Sequence, residues 1–77
     1  MPKIDEILKL LENGKWHYLT EIEKKTQLRN FDITSITKFL AQYNFIKLDE
    51  RGQKAKLDPS TQHFLKKIRQ LEVEEKL

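Results

Sequence analysis

Phe45 to Asp58 reads FIKLDERGQKAKLD. In it Ile46, Leu48, Ala55 and Leu57 alternate with Lys47, Lys54 and Lys56, the two-residue period of antiparallel strands with one buried and one wet face. Between the two runs stands Asp49-Glu50-Arg51-Gly52, where Gly52 best suits the positive φ of a tight loop. The stretch therefore predicts a β-hairpin with lysines on its outer side. A lone hairpin is marginal in water, so it must rest on the remainder of the chain, which reads as helical.

Upstream, Ile4, Ile7, Leu8 and Leu11 form one apolar stripe of a first helix running from Pro2 or Lys3 to Asn13. Pro2 suits its first turn, and Gly14 the left-handed residue that ends it. Lys15 to Leu19 (KWHYL) is short, aromatic and β-prone, and predicts a strand that joins the hairpin in a small antiparallel sheet. Thr20-Glu21-Ile22-Glu23 has the capping-box pattern and predicts a second helix to Gln27 or Leu28, anchored by Ile22 and Leu28. Asn30 is expected to cap a third helix reaching about Tyr43. Its buried stripe is read as Ile33, Ile36, Leu40 and Tyr43 with Phe39 beside it, and Asn44 as a left-handed terminator. After the hairpin, Asp58-Pro59 marks a fourth helix with the stripe Phe64, Leu65, Ile68 and Leu71. The fold class expected is mainly α with a small antiparallel β-sheet, in the order α-β-α-α-β-β-α.

The 77 residues suffice for a single domain spanning 1–77. At this size a chain buries only about 60% of the surface its unfolded form exposes, so the core margin is thin. The absence of cysteine excludes disulfides and thiolate-held zinc and fits a reducing cytoplasm. No apolar run approaches the roughly 20 residues of a membrane span, and the N-terminus lacks the apolar segment of a secretory signal. Those features point to a cytoplasmic protein away from membranes. Net charge is +3, from 15 basic and 12 acidic side chains. Residues 1–28 are neutral, 29–58 carry +2 and 59–77 carry +1, so the surplus sits in the hairpin half. His17 and His63 stand far apart without an acidic or thiol cluster of ligand spacing. They are read as surface histidines, with no metal, cofactor or small-molecule site expected.

Gly14-Lys15-Trp16-His17 with Leu19-Thr20-Glu21-Ile22, then Lys38-Phe39-Leu40 through Phe45-Ile46, carry a family likeness. So do Asp49-Glu50-Arg51-Gly52 and Leu57-Asp58-Pro59. In that order and spacing the chain resembles the small winged helix-turn-helix DNA-binding domains of archaea and bacteria, over nearly its whole length. The resemblance implies a third helix in the major groove, a wing (the hairpin) on backbone or minor groove, and dimers through terminal helices.

Subtracting the buried stripe leaves Asn30, Phe31, Thr34, Ser35, Lys38 and Gln42 on the outer flank of the third helix. Amide side chains can bind adenine edges in pairs of hydrogen bonds, and hydroxyls reach bases or phosphates. The helix start attracts a phosphate, which Asp32 opposes. Arg29 precedes it, and Arg51, Lys54 and Lys56 on the hairpin, with Lys47 opposite, can neutralise phosphates with counterion release. Their other role would be to guard a sheet edge against aggregation. Trp16 and Tyr18 are read as packing on the hairpin rather than as a stacking platform for unpaired bases. Phe64, Ile68 and Leu71 fit a heptad seam reaching Glu75 and Leu77, so the helix over 59–77 is expected to pair with a second copy as a homodimer.

The function expected is double-stranded DNA binding, as a transcription regulator or architectural protein. Only Lys38 among the outer third-helix residues is cationic, and the wing tip is acidic at Asp49 and Glu50. Those two features suit the alternative, a protein–protein interaction module of the same fold. With no cysteine, no glycine-rich phosphate loop and no histidine–carboxylate constellation, an enzyme is not expected.

Overall fold

The computed structural model describes residues 2–75. Its elements are α1 (Pro2–Leu11), β1 (His17–Tyr18), α2 (Leu19–Thr26), α3 (Asn30–Gln42), β2 (Ile46–Leu48), β3 (Lys54–Leu57) and α4 (Pro59–Glu75). It is mainly helical with one small antiparallel sheet, in the order read from the sequence. The last position of the expected α4 seam, Leu77, lies outside the described residues.

Sheet order is β1-β3-β2, so the second hairpin strand is central. Ile46 pairs with Leu57, Lys47 with Lys56 and Leu48 with Ala55, while His17 pairs with Ala55 and Tyr18 with Lys54. The pleat sends Ile46, Ala55 and Leu57 inward, where all three are buried, and the lysines outward. The inward side meets Ile7 and Leu11 of α1, Ile22 of α2, and Ile33 and Leu40 of α3 in one core. Full burial of such a side chain contributes roughly 1.5–3 kcal/mol. Thr26 and Thr37 share that core. Each hydroxyl donates to the carbonyl one turn back, Ile22 and Ile33 respectively, at 2.7 Å, so neither leaves an orphaned polar atom.

Several local expectations are corrected. Helix α1 stops at Leu11 rather than Asn13, because Gly14 turns at φ 77 and its N–H donates to the Leu11 carbonyl. Strand β1 is only His17–Tyr18, and α2 begins at Leu19, so the Thr20–Glu23 capping box does not form. The Leu19 N–H donates to the Gln53 carbonyl at 2.8 Å; strand pairing itself feeds the chain into the helix. Glu21 instead meets His17 Nδ1 at 3.1 Å and Lys25 Nζ at 3.3 Å. His17 Nε2 lies 2.9 Å from Asn13 Oδ1, and with its side chain only 11% exposed it is a strut rather than a surface histidine.

Asn30 is the first residue of α3, and Arg29 holds the cap position without a side-chain bond. Inward places on α3 go to Ile33, Thr37 and Leu40, with Ile36 packed at their flank. Tyr43 and Phe39 are exposed, their ring centroids 5.0 Å apart. The cause is the helix end: Tyr43 is the C-cap and Asn44 turns at φ 65, which carries Tyr43 off the inward face. On α4, Leu65 packs on the core while Phe64 stays exposed. A polar lock sets that rotation, since Gln62 Nε2 donates to the Glu12 carbonyl at 3.0 Å and Arg69 to Glu12 Oε1 at 2.8 Å.

At Gly14 a β-carbon would collide with the Gln62 amide, whereas at Gly52 (φ 67) it would meet open space. Left-handed strain costs a non-glycine residue roughly 1–2 kcal/mol, so Gly52→Ala should lose about that much and Gly14→Ala more. Urea denaturation should show both as lower midpoints with unchanged slopes.

Candidate nucleic-acid interface

Three residues, Gln27 to Arg29, join α2 to α3. Gln27 turns there at φ 60, and its N–H donates to the Glu23 carbonyl. The start of α3 is thereby set beside the start of α2. The hairpin loop reaches the same place. Leu19, Thr20, Asn30, Thr34, Gly52, Gln53 and Tyr18 wall one groove of about 380 Å³. A neighbouring concavity, lined by Asp49, Glu50, Arg51 and Lys54, shares Tyr18 and Gln53 with it. A crevice between α1 and α2 is smaller, about 260 Å³, and its two lysines already face carboxylates, Lys9 on Asp5 and Lys25 on Glu21.

Of the residues expected to read DNA, Asn30 and Thr34 line the groove itself. Ser35, Lys38 and Gln42 are exposed on α3, with Lys38 one turn beyond Thr34 and Gln42 one turn beyond Lys38. Arg51 and Lys54 line the adjoining concavity, and Lys56 lies further along β3. Arg29 is 85% exposed, and its Nε sits 3.2 Å from Asp32 Oδ2. The acidic side chain in the first turn of α3 therefore carries its own counter-charge. Lys38, Lys47, Arg51, Lys54 and Lys56 have no carboxylate oxygen within 4.0 Å among the described residues. The groove also contains Gln53, which residue type and spacing alone do not mark as a site residue. Its position follows from the pairing of β1 with β3, since its carbonyl takes the Leu19 N–H.

The acidic hairpin tip has a structural cause. Asp49 Oδ1 accepts from the Gln53 N–H at 2.7 Å and the Lys54 N–H at 3.0 Å. Those backbone donors, Lys54 foremost, hold the Asp49 carboxyl below the ordinary aspartate value. Asp49 thus closes the loop, and Glu50 is the exposed acidic residue at the tip. Likewise the His17 hydrogen bond, aided by Lys25, lowers the Glu21 carboxyl.

The outer side of the sheet is ordered by aromatic contacts. Lys54 Nζ lies 5.0 Å from the centroid of the Tyr18 ring, and Lys56 Nζ 4.9 Å from that of Trp16. The two rings do lie against the hairpin as expected, yet Trp16 and Tyr18 remain 44% and 53% exposed. No grouping of three or more metal-ligating side chains occurs among the described residues, and no helix there is long and apolar enough to cross a membrane. The chain matches no family model, no curated protein and no solved structure.

Since the folded-state pKa of Asp49 lies below its unfolded value, its loop closure is fully present above the ordinary value and is lost as pH falls through the folded one. Protection factors of the Gln53 and Lys54 amides should therefore decline below about pH 4. Asp49→Ala should remove that protection at neutral pH, while Asp49→Asn, which keeps an acceptor oxygen, should retain much of it.

Proposed function

We propose that the chain is a winged helix-turn-helix domain that binds double-stranded DNA, as a transcription regulator or architectural protein. Helix α3 lies in the major groove and the β2–β3 hairpin is the wing on the backbone. The reading is carried by one observation: the start of α3 and the hairpin loop wall the same groove through Asn30, Thr34, Gly52 and Gln53. A duplex laid along that side meets polar α3 residues and cationic hairpin residues together. Thr34, Ser35, Lys38 and Gln42 test base edges, with Asn30 at the helix start. Arg29, Arg51, Lys54 and Lys56 hold phosphates and fix the register.

Affinity on this reading comes mainly from counterion release. Lys54→Ala with Lys56→Ala should weaken binding alike on all sequences and flatten the log–log salt slope by about 0.9 for each phosphate left unneutralised. Gln42→Ala should instead reduce the preference for a selected site over random duplex, by up to about 1–3 kcal/mol for a base that the amide no longer grips. Unchanged affinity of the double lysine variant in a gel-shift titration contradicts the assignment.

The same reading makes α4 the element of self-association. Phe64 and Leu71 are exposed and Ile68 is half-buried along one seam, with Lys66 and Lys67 near one end and Glu72 near the other. An antiparallel pair about a two-fold axis sets those opposite charges against each other. Sedimentation equilibrium should return a dimer, and Leu71→Glu a monomer with its helical content intact.

A protein-docking module is the second reading, favoured by Phe31, which is 75% exposed in the first turn of α3. Salt-sensitive retention on heparin supports the duplex reading, and indifference to heparin and DNA supports docking.

A further inference from the structure

The base faces of a duplex are already stacked on one another, so a duplex offers the two rings on the outer sheet side no base to stack on. We propose that Trp16 and Tyr18, with Lys47, Lys54 and Lys56, form a second surface that binds an unpaired DNA strand. It shares Lys54 and Lys56 with the duplex reading but stands on the rings.

Three observations converge on this surface. First, both rings are about half open although each has an ammonium over one face. An aromatic pair serving only to fill the fold would be covered; these point out of a sheet whose other side carries the core. Second, the three lysines have no carboxylate partner within 4.0 Å among the described residues. Lys47 and Lys56 directly oppose one another across the hairpin, an arrangement that repels unless an anion lies between them. A chain of phosphates supplies that anion. Third, Trp16 and Tyr18 stand two residues apart, which on extended backbone is roughly 6.6 Å. That is about twice the 3.4 Å base repeat of a stacked strand, so the two rings address bases of a strand that has come unstacked.

The division of labour follows from chemistry. Every base has a π-face, so aromatic stacking accepts any sequence. Lys54 and Lys56 are each held by the ring they cover, which keeps their charge close to where a backbone would pass the stacked base. Tyr18 also lines the α3 groove, so the surface continues from the duplex site without a break. A strand leaving a duplex at that point runs onto the sheet.

Trp16 is the sole tryptophan, so its fluorescence reports on this surface directly. A twelve-nucleotide oligo(dT), titrated into the full chain at low salt, should quench Trp16 saturably, with affinity falling as salt rises. Tyr18→Ala should weaken that binding about tenfold, the scale of one base stack removed. Tyr18→Phe keeps a ring and the strand pairing and should bind as the parent does, which separates the stacking effect from a folding defect. A poly-glutamate of equal charge should bind far more weakly without quenching. Absent quenching by oligo(dT), equal binding of poly-glutamate, undiminished affinity in Tyr18→Ala, or a tenfold preference for oligo(rU) would each overturn the proposal. A blunt duplex followed in parallel by anisotropy reports on the α3 site separately, so failure of either surface is distinguishable from failure of the other.

Discussion

Strand β3 is the constraint on which the rest of the molecule depends. Among the described residues it is the only strand with a neighbour on each side, and it alternates Lys54, Ala55, Lys56, Leu57. Ala55 and Leu57 are almost wholly buried, while Lys54 and Lys56 sit over aromatic rings on the other side. Slipping the pairing by one residue would exchange those sides and drive two ammonium groups into the core at a cost no burial here offsets. The register therefore fixes the core and the cationic face at once. It also fixes where α2 begins, through the Leu19–Gln53 hydrogen bond, and hence where the short connection to α3 can place that helix.

The groove between α3 and the hairpin is thus a consequence of packing rather than an addition to it. Its polar residues lie on elements whose opposite sides are buried: Asn30 and Thr34 on the helix that contributes Ile33, Thr37 and Leu40 to the interior, Gln53 next to the central strand. Rigidity on the inner side gives preorganisation on the outer one. Two of the acidic groups near it are tied down locally, Asp49 by two loop amides and Asp32 by Arg29, which leaves Glu50 as the exposed acid at the hairpin tip.

Much of the fold was legible from a few residues with strict physical demands. Alternation over Phe45–Asp58 located the hairpin; Gly14, Asn44 and Gly52 take positive φ, as their side chains or lack of them allow. Asp58 accepts from the Ser60 N–H at 3.0 Å, and Pro59 opens α4 as read. What was not legible depended on tertiary neighbours. Thr20 and Glu23 have the right spacing for a capping box, but the preceding strand puts the cap two residues earlier, at Tyr18. Thr37 looks polar and belongs to the core because its hydroxyl is satisfied within its own helix. Tyr43 fits the stripe by spacing yet falls where the helix has ended. For the candidate site, the residue types on α3 were legible, whereas the participation of Gln53 and the lysine–ring pairs required knowing which strands are adjacent.

Exposed apolar side chains remain on two further parts of the surface, Phe39, Tyr43 and Phe45 around the end of α3 and Phe64, Leu71 and Val73 on α4. For so small a domain such exposure is a burden on solubility unless another copy or partner covers it. The duplex interface is the central claim, and chemical-shift mapping tests it most directly. A random-sequence duplex titrated into isotope-labelled protein should move the amides of Asn30, Thr34, Ser35, Lys38, Arg51 and Gln53 together, leaving those of α1 in place. Shifts confined to α4 and the end of α3, or no shifts at low salt, would contradict it.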